Sequence, residues 1–322
     1  MPNSDAAVLD GGEIADRVDA SLVPGDTVAP EKQSASSAAK RALTGRFGSL
    51  VAILIAFFWT VPTFGLLVTS FRPEADIKSS GWWTFFANPN FTLENYQTVL
   101  FGAKSQGDLA SYFINSLVIT VPATLAPLLL ATMAAYAFSV LKWKGRDTVF
   151  VIVFALQIVP LQMALIPLLR VFSGTEVSKM FPFLSIWVAH TIFALPLAIF
   201  LLHNFMAEVP RELVEAAQVD GAGHVKTFIS VMLPLMIPAI ASFAIFQFLW
   251  VWNDLLVGLT FSGGMELTQP LTARLASMAG SRGQDWHLLT AGAFVSMIIP
   301  LGVFLTLQRY FVRGLMAGSV KG

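Results

Sequence analysis

The sequence predicts an all-α membrane protein of six spanning helices, and three observations carry that expectation. Of the 322 residues, 55% are hydrophobic and only 12% charged, and the mean hydropathy is +0.69, well above what soluble domains show. Apolar runs recur at the length of a bilayer crossing, about 20 residues. Prolines sit inside these runs, at Pro62, Pro122, Pro160, Pro196 and Pro300. They would break soluble helices, but in a membrane bundle neighbouring helices satisfy the freed carbonyls, so they predict kinks. The formal net charge is zero and cysteine is absent. The first hides a segregation of charge along the chain, and the second excludes disulfides, thiolate metal sites and thiol catalysis.

Residues 1–46 hold seven acidic and five basic residues among Ala, Ser, Pro and Gly, with too little apolar surface to offset the entropy of ordering them. This predicts a disordered cytoplasmic tail. The first apolar run lies too far from Met1 for a cleavable leader and is long enough to remain as an anchor. The spans are expected at about 48–70, 113–140, 148–170, 182–204, 231–260 and 288–309. The first then forms, with an external segment, a region 47–110 ahead of a core at 111–309.

Six spans place both termini on one side. That side carries Lys40, Arg41, Arg46, Lys142, Lys144, Arg146, Arg211, Lys226, Arg309, Arg313 and Lys321, 11 basic residues against 7 on the other. The bias points to cytoplasmic termini. Two external stretches, Arg72 to Ser111 and Ser262 to His287, are long enough to matter. The first carries Trp82, Trp83, Phe85 and Phe86, aromatics suited to the membrane interface.

The loop between the fourth and fifth spans, 208–238, reads as a short helix, a break and a second helix. Pro210 suits a first helical turn, Glu212 and Glu215 favour the positive helix start, and Ala216 and Ala217 propagate a helix of low profile. Asp220 and Gly221 end it, the glycine permitting a left-handed backbone or the close approach of another chain. Phe228, Ile229, Val231 and Met232 offer apolar knobs beside the break. Such a hairpin suits docking into a groove on a partner, although an ordinary helical connector has the same chemistry.

The residues Glu215-Ala-Ala, Asp220-Gly221-Ala222, Phe228 and Leu233-Pro234 resemble the coupling signature of ABC importer permeases. The resemblance extends through Phe113-Ile-Asn-Ser116, Ala134-Ala-Tyr-Ala-Phe138, Val159-Pro160, Ile166-Pro167 and Trp252-Asn-Asp254. It implies a type I importer bundle forming half of a heterodimeric pore with a second permease subunit. The partners it implies are an ATPase dimer on the inside and an extracytoplasmic solute-binding protein outside, in a bacterial cytoplasmic membrane. Glu212, Glu215, Ala216, Ala217, Asp220, Gly221, Ala222, Phe228, Leu233 and Pro234 are then the residues that seat on the ATPase. The end of the chain, Leu307 to Gly322, is similar to the tail of the second, G-type permease of maltose and α-glucoside importers, as is Gly280 to His287 more loosely. That resemblance implies a carbohydrate substrate, maltose, maltodextrin or a related α-glucoside. It also implies that the tail at 310–322 reaches the ATPase through Gly314, Gly318 and Lys321.

The chain has no ATP site of its own. Gly221-Ala-Gly-His-Val-Lys-Thr227 superficially matches a phosphate loop, but Val225 replaces the required glycine and no strand precedes it. ATP and magnesium therefore belong to the partner ATPase, with no cofactor in this chain. No histidine and carboxylate cluster has metal-ligand spacing, and no catalytic triad or carboxylate pair emerges, so an enzyme is disfavoured; nothing suggests nucleic acid as a partner. An ion-coupled secondary transporter would show inverted repeats or charged residues at mid-membrane, and no convincing set exists. A sugar needs hydrogen bonds and flat apolar faces, which makes Gln247, Trp250, Asn253 and Asp254 of the fifth span the candidates for its path. For Asp254, capping or bracing a loop is an equal reading. Other sugars, such as trehalose or a glycerol phosphate, fit the same pattern.

Overall fold

The computed structural model describes residues 35–102, 108–176, 180–263, 265–279 and 285–317, with side chains described between 47 and 308. Every regular element among them is helical. The chain divides into two units, Met1–Val61 and Pro62–Gly322. The first contributes the opening part of helix α1 (Ala35–Ser70), whose Phe57, Phe58 and Trp59 are exposed, as suits a surface solvated by lipid rather than water. The helix already runs from Ala35, so the residues 35–46 expected in a tail are helical; residues 1–34 lie outside the described residues.

Five helical stretches have the length and apolarity of a membrane crossing: Phe47–Ser70, Leu109–Ser139, Leu184–Ala207, His224–Trp252 and Trp286–Gln308. The last four belong to helices α4 (Leu109–Ser139), α7 (Leu184–Ala207), α9 (His224–Trp252) and α12 (Trp286–Ala317). A bent pair, α5 (Arg146–Ala155) and α6 (Leu161–Phe172) with the short turn Leu156–Ile158, is apolar enough to make a sixth crossing if taken as one broken span, and it turns through 102°. Here Pro160 does more than kink a straight span. It stands at φ −59, ψ 128, and Val159 before it is extended at ψ 118. A residue preceding proline is pushed out of the helical region, and no intrahelical bond survives to resist the bend. Pro122, Pro196 and Pro300, by contrast, lie inside continuous helices.

The core of the second unit is built by α4, α7 and α9 with α12. One buried cluster joins Ala131, Ala135 and Tyr136 of α4 to Leu202 and Met206 of α7 and Met232, Met236 and Phe243 of α9. A second joins Val99, Leu109 and Tyr112 to Trp252, Leu271 and Ala291. A third collects Ile119, Ala123, Ile186, Ala189, Val251 and Val257. Alanines at the contacts let the helices approach closely, which substitutes for the hydrophobic driving force that lipid removes.

Both expected external stretches are folded. The first contains α2 (Glu74–Ser79), a 3-10 turn at Trp82–Phe86 and α3 (Glu94–Phe101). Buried Arg72 organises it, donating to the Asp76 and Ser80 carbonyls and the Ser80 and Thr84 hydroxyls at 2.7 to 3.3 Å. Asn95 ties it to the end of α1 by donating to the Ser70 and Arg72 carbonyls, each at 2.9 Å. The second follows α10 (Leu256–Ser262) and contains α11 (Leu271–Ala279). It is pinned to α4, where Ser116 Oγ accepts from Leu271 N at 2.8 Å and Asn115 donates to the Glu266 and Gln269 carbonyls.

Candidate functional site

The hairpin between α7 and α9 forms as its residues dictate. Helix α8 (Arg211–Val219) starts after Pro210, with Glu212 in the first turn. It ends in a closed left-handed turn: Ala222 N donates to Ala217 O at 2.9 Å, Gly221 N donates to Gln218 O at 3.0 Å, and Gly221 stands at φ +80. This paired arrangement is the Schellman ending that favours glycine at the left-handed position. Chain then continues directly into α9 from His224, so the second arm of the hairpin is the base of the fifth span itself.

No residue of α8 is buried. Its half-buried Val214 packs on the first core cluster, and Glu212, Glu215, Ala216, Asp220 and Gly221 are exposed. Ala217, Ala222 and Leu233 are half-buried, while Pro234 is exposed. Of the four expected knobs, two turn inward. Phe228 packs edge-on against Tyr136 with ring centroids 5.2 Å apart, and Met232 is buried; a π-helical turn over Phe228–Met232 rotates them there, and such turns recur at functional sites. The apolar residues left outside are Leu213, Val219, Val225 and Ile229, with Val219 87% exposed. Val219 and Val225 carried no sequence signal beyond their place beside the glycine.

The hairpin is seated on the end of α4. Tyr136 Oη donates to the His224 carbonyl at 3.2 Å, and Trp143 Nε1 donates to the Ala137 carbonyl at 3.2 Å, closing the end of α4. Between that end, α5 and α8 lies a cavity of about 900 Å³ lined by Lys142, Trp143, Arg146, His203, Arg211 and Glu215 among others. The basic cluster from Lys142 to Arg146 thus reaches the same region as Glu215.

The four path candidates have separate fates. Gln247 is fully buried and donates to the Ala123 carbonyl at 3.2 Å. Trp250 is half-buried. Asn253 is exposed and its amide donates to Leu249 O at 2.7 Å. The fifth span stops at Trp252, short of the expected 260, because Asn253 ends the helix and Asp254 closes the first turn of α10 by accepting from Gly258 N at 2.8 Å. Asp254 Oδ2 also lies 3.8 Å from Nε2 of buried His190. At the carboxyl end Gly314 lies within α12, while Gly318 and Lys321 are outside the described residues, as are residues 280–284 of the stretch Gly280 to His287.

Residues 127–316 match the family described as the binding-protein-dependent transport system inner membrane component. The chain belongs to this family of ABC importer permeases. It is 54% identical over 276 residues to the osmoprotective compounds uptake permease protein GgtD of Synechocystis sp., covering 84% of this chain and 91% of that one. It is 48% identical over 261 residues to the alpha-glucoside transport system permease protein AglG of Rhizobium meliloti, covering 80% and 67%. The fold is shared with the crystal structure of a bacterial ABC transporter involved in import of the acidic polysaccharide alginate. There the TM-score is 0.62 at 20% identity, over 82% of this chain and 96% of that chain. This permease is a transport subunit rather than a catalytic domain, and a multi-pass protein of the bacterial inner membrane. Its system comprises permease, ATPase and solute-binding components.

Proposed function

We propose that this permease forms one half of a heterodimeric pore in a carbohydrate importer, and that α8 with the base of α9 is its contact with the ATPase. The observation that carries the coupling reading is the exposed, glycine-ended α8, joined through the turn at 220–223 to α9, whose first turn is seated on α4 through Tyr136. A short helix with exposed apolar residues at Leu213, Val219 and Val225 and acids at Glu212, Glu215 and Asp220 suits a groove on a partner. ATP binding closes the ATPase dimer, the hairpin carries that motion into α7 and α9, and the pore opens outward; hydrolysis resets it. The binding energies of ATP and of the loaded solute-binding protein shift the two-state equilibrium. Gly314, Gly318 and Lys321 supply a second contact with the same ATPase.

The similarity to AglG supports an α-glucoside as cargo, maltose among them. The similarity to GgtD favours a second reading, an osmoprotective compound. Trehalose, an α-glucoside that protects against osmotic stress, satisfies both. For the path, Trp250 and Asn253 stay as candidates, since polar atoms of Gln247 and Asp254 are already engaged. Calorimetry of the system's solute-binding protein, against maltose, trehalose and longer glucosides, tests the cargo. Binding of one of them is expected, and binding of none rejects the α-glucoside assignment.

A further inference from the structure

Prolines inside the helices each leave a carbonyl without its amide partner on the next turn, because proline has no N–H to donate four residues back, and three of these carbonyls are met by a side chain from a neighbouring helix. Pro122 frees Val118 O and Pro127 frees Ala123 O in α4; Pro300 frees Ser296 O in α12. Each freed oxygen accepts a side-chain N–H from a neighbouring helix: Trp187 Nε1 to Val118 O at 2.9 Å, Gln247 Nε2 to Ala123 O at 3.2 Å, and Trp252 Nε1 to Ser296 O at 3.0 Å. All three donors stand on α7 or α9, the helices on either side of α8. In a medium without water an unpaired carbonyl is costly, so each bond holds a proline-weakened point of one helix to the body of another.

We propose that Trp187, Gln247 and Trp252 are positioning residues that tether the proline hinges of α4 and α12 to the two helices leaving the coupling hairpin. Displacement of α7 and α9 is thereby delivered to α4 at Val118 and Ala123 and to α12 at Ser296. This rests on the coupling reading given above. Gln247 shows the arrangement most clearly. It is fully buried, its Nε2 is committed to Ala123, and its Oε1 has no partner among the described residues. Thr120 and Thr124, on either side of Ala123 in α4, are buried with hydroxyls that also lack a partner. When α9 shifts against α4, those hydroxyls give the same amide alternative partners within about one helical turn, which makes the contact a two-position tether rather than a fixed brace.

The test uses the assembled transporter with its ATPase, second permease and solute-binding protein. Gln247→Leu removes the donor; Pro127→Ala restores to α4 its own N–H for Ala123 O. Gln247→Leu is expected to lower the unfolding midpoint and to cut uptake about tenfold, the equivalent of one buried hydrogen bond. Adding Pro127→Ala should return the midpoint towards that of the parent while uptake per ATP hydrolysed stays low, because the hinge is satisfied but no longer tethered. Additive losses in the midpoint would show that the amide and the proline are unconnected and overturn the tether. Full uptake by the double variant would reduce Gln247 to bracing and overturn its positioning role. Gly221→Trp, assayed in parallel, separates the two ideas. If it transports normally, the coupling reading fails; if it is inactive and the Gln247 and Pro127 changes are additive, only the tether fails.

Discussion

Gly221 offers the sharpest separation of intrinsic from partner-borne constraint. Its φ of +80 is left-handed, and a Cβ built on it meets no atom of the described residues within 4 Å. In the subunit alone, alanine at this position therefore costs only the backbone strain of an L-residue there, about 1–2 kcal/mol, a factor of roughly 5–30 in the population of the turn. Asparagine tolerates the left-handed region, so Gly221→Asn removes most of even that strain while adding a side chain to the exposed surface. The expected outcome is a protein that inserts, melts like the parent and assembles, yet loses most of its ATP-dependent uptake because the side chain stands at the proposed ATPase contact. Proteoliposome uptake and binding-protein-stimulated ATP hydrolysis measure this, with thermal unfolding in detergent as the control for folding. Gly221→Ala should fall between the two. Full uptake by the asparagine variant would show that the glycine serves only to end α8, and full uptake by a tryptophan variant would remove α8 from the coupling path.

Three further outcomes follow from packing and charge. A Cβ at Gly258 would stand 2.7 Å from Pro270 Cγ, a ring that cannot rotate away, so Gly258→Ala should destabilise by about 1–3 kcal/mol, read as a lower unfolding midpoint. Asn95→Leu strips the donor from the Ser70 and Arg72 carbonyls at the exit of α1, at about 1–3 kcal/mol for each left dry, and limited proteolysis of the 72–101 segment should accelerate. The hydrogen bond from Lys78, aided by the nearby His287, holds the Glu74 carboxyl below its ordinary value of 4.5. A carboxylate favoured in the folded state stabilises above its ordinary pKa, and the gain disappears as pH falls through the lowered value. Melting curves of the parent and of Glu74→Gln should differ at neutral pH and converge in acid; a gap that persists in acid would exclude the charge as its source.

Much of the architecture was legible because hydropathy and helix endings act over one or two turns of chain. Four of the six expected spans appear within a few residues of their places, a further one falls on the bent pair α5 and α6, and the all-α bundle is shared with a solved importer. The α8 hairpin is equally local: Pro210 before it, alanines within it and Gly221 after it need no tertiary neighbour to specify a short helix and a left-handed stop. Sequence periodicity could not say which way Phe228 and Met232 would turn, since the spans are apolar nearly all round and carry no stripe to mark an inner face. Only the seating on Tyr136 decided that.

The prolines divide the same way. From the sequence Pro62, Pro122, Pro160, Pro196 and Pro300 were each a kink whose carbonyl a neighbour would satisfy, and that much is a property of the residue, Pro127 included. Which neighbour, and whether the helix bends gently or breaks, depends on how each helix is rotated against the next. Pro160 has an extended residue before it and the chain turns through 102°, whereas Pro122, Pro127 and Pro300 remain in continuous helices whose freed carbonyls meet Trp187, Gln247 and Trp252. By itself the sequence determined that this is an all-α bundle of several spans with a short, glycine-ended helix between two of them, because those features follow from local hydrophobicity and backbone chemistry. Tertiary structure alone decided which side chains reach across to the weakened helices, because a hydrogen bond between helices is set by their mutual rotation and separation, and neither is written in a single segment.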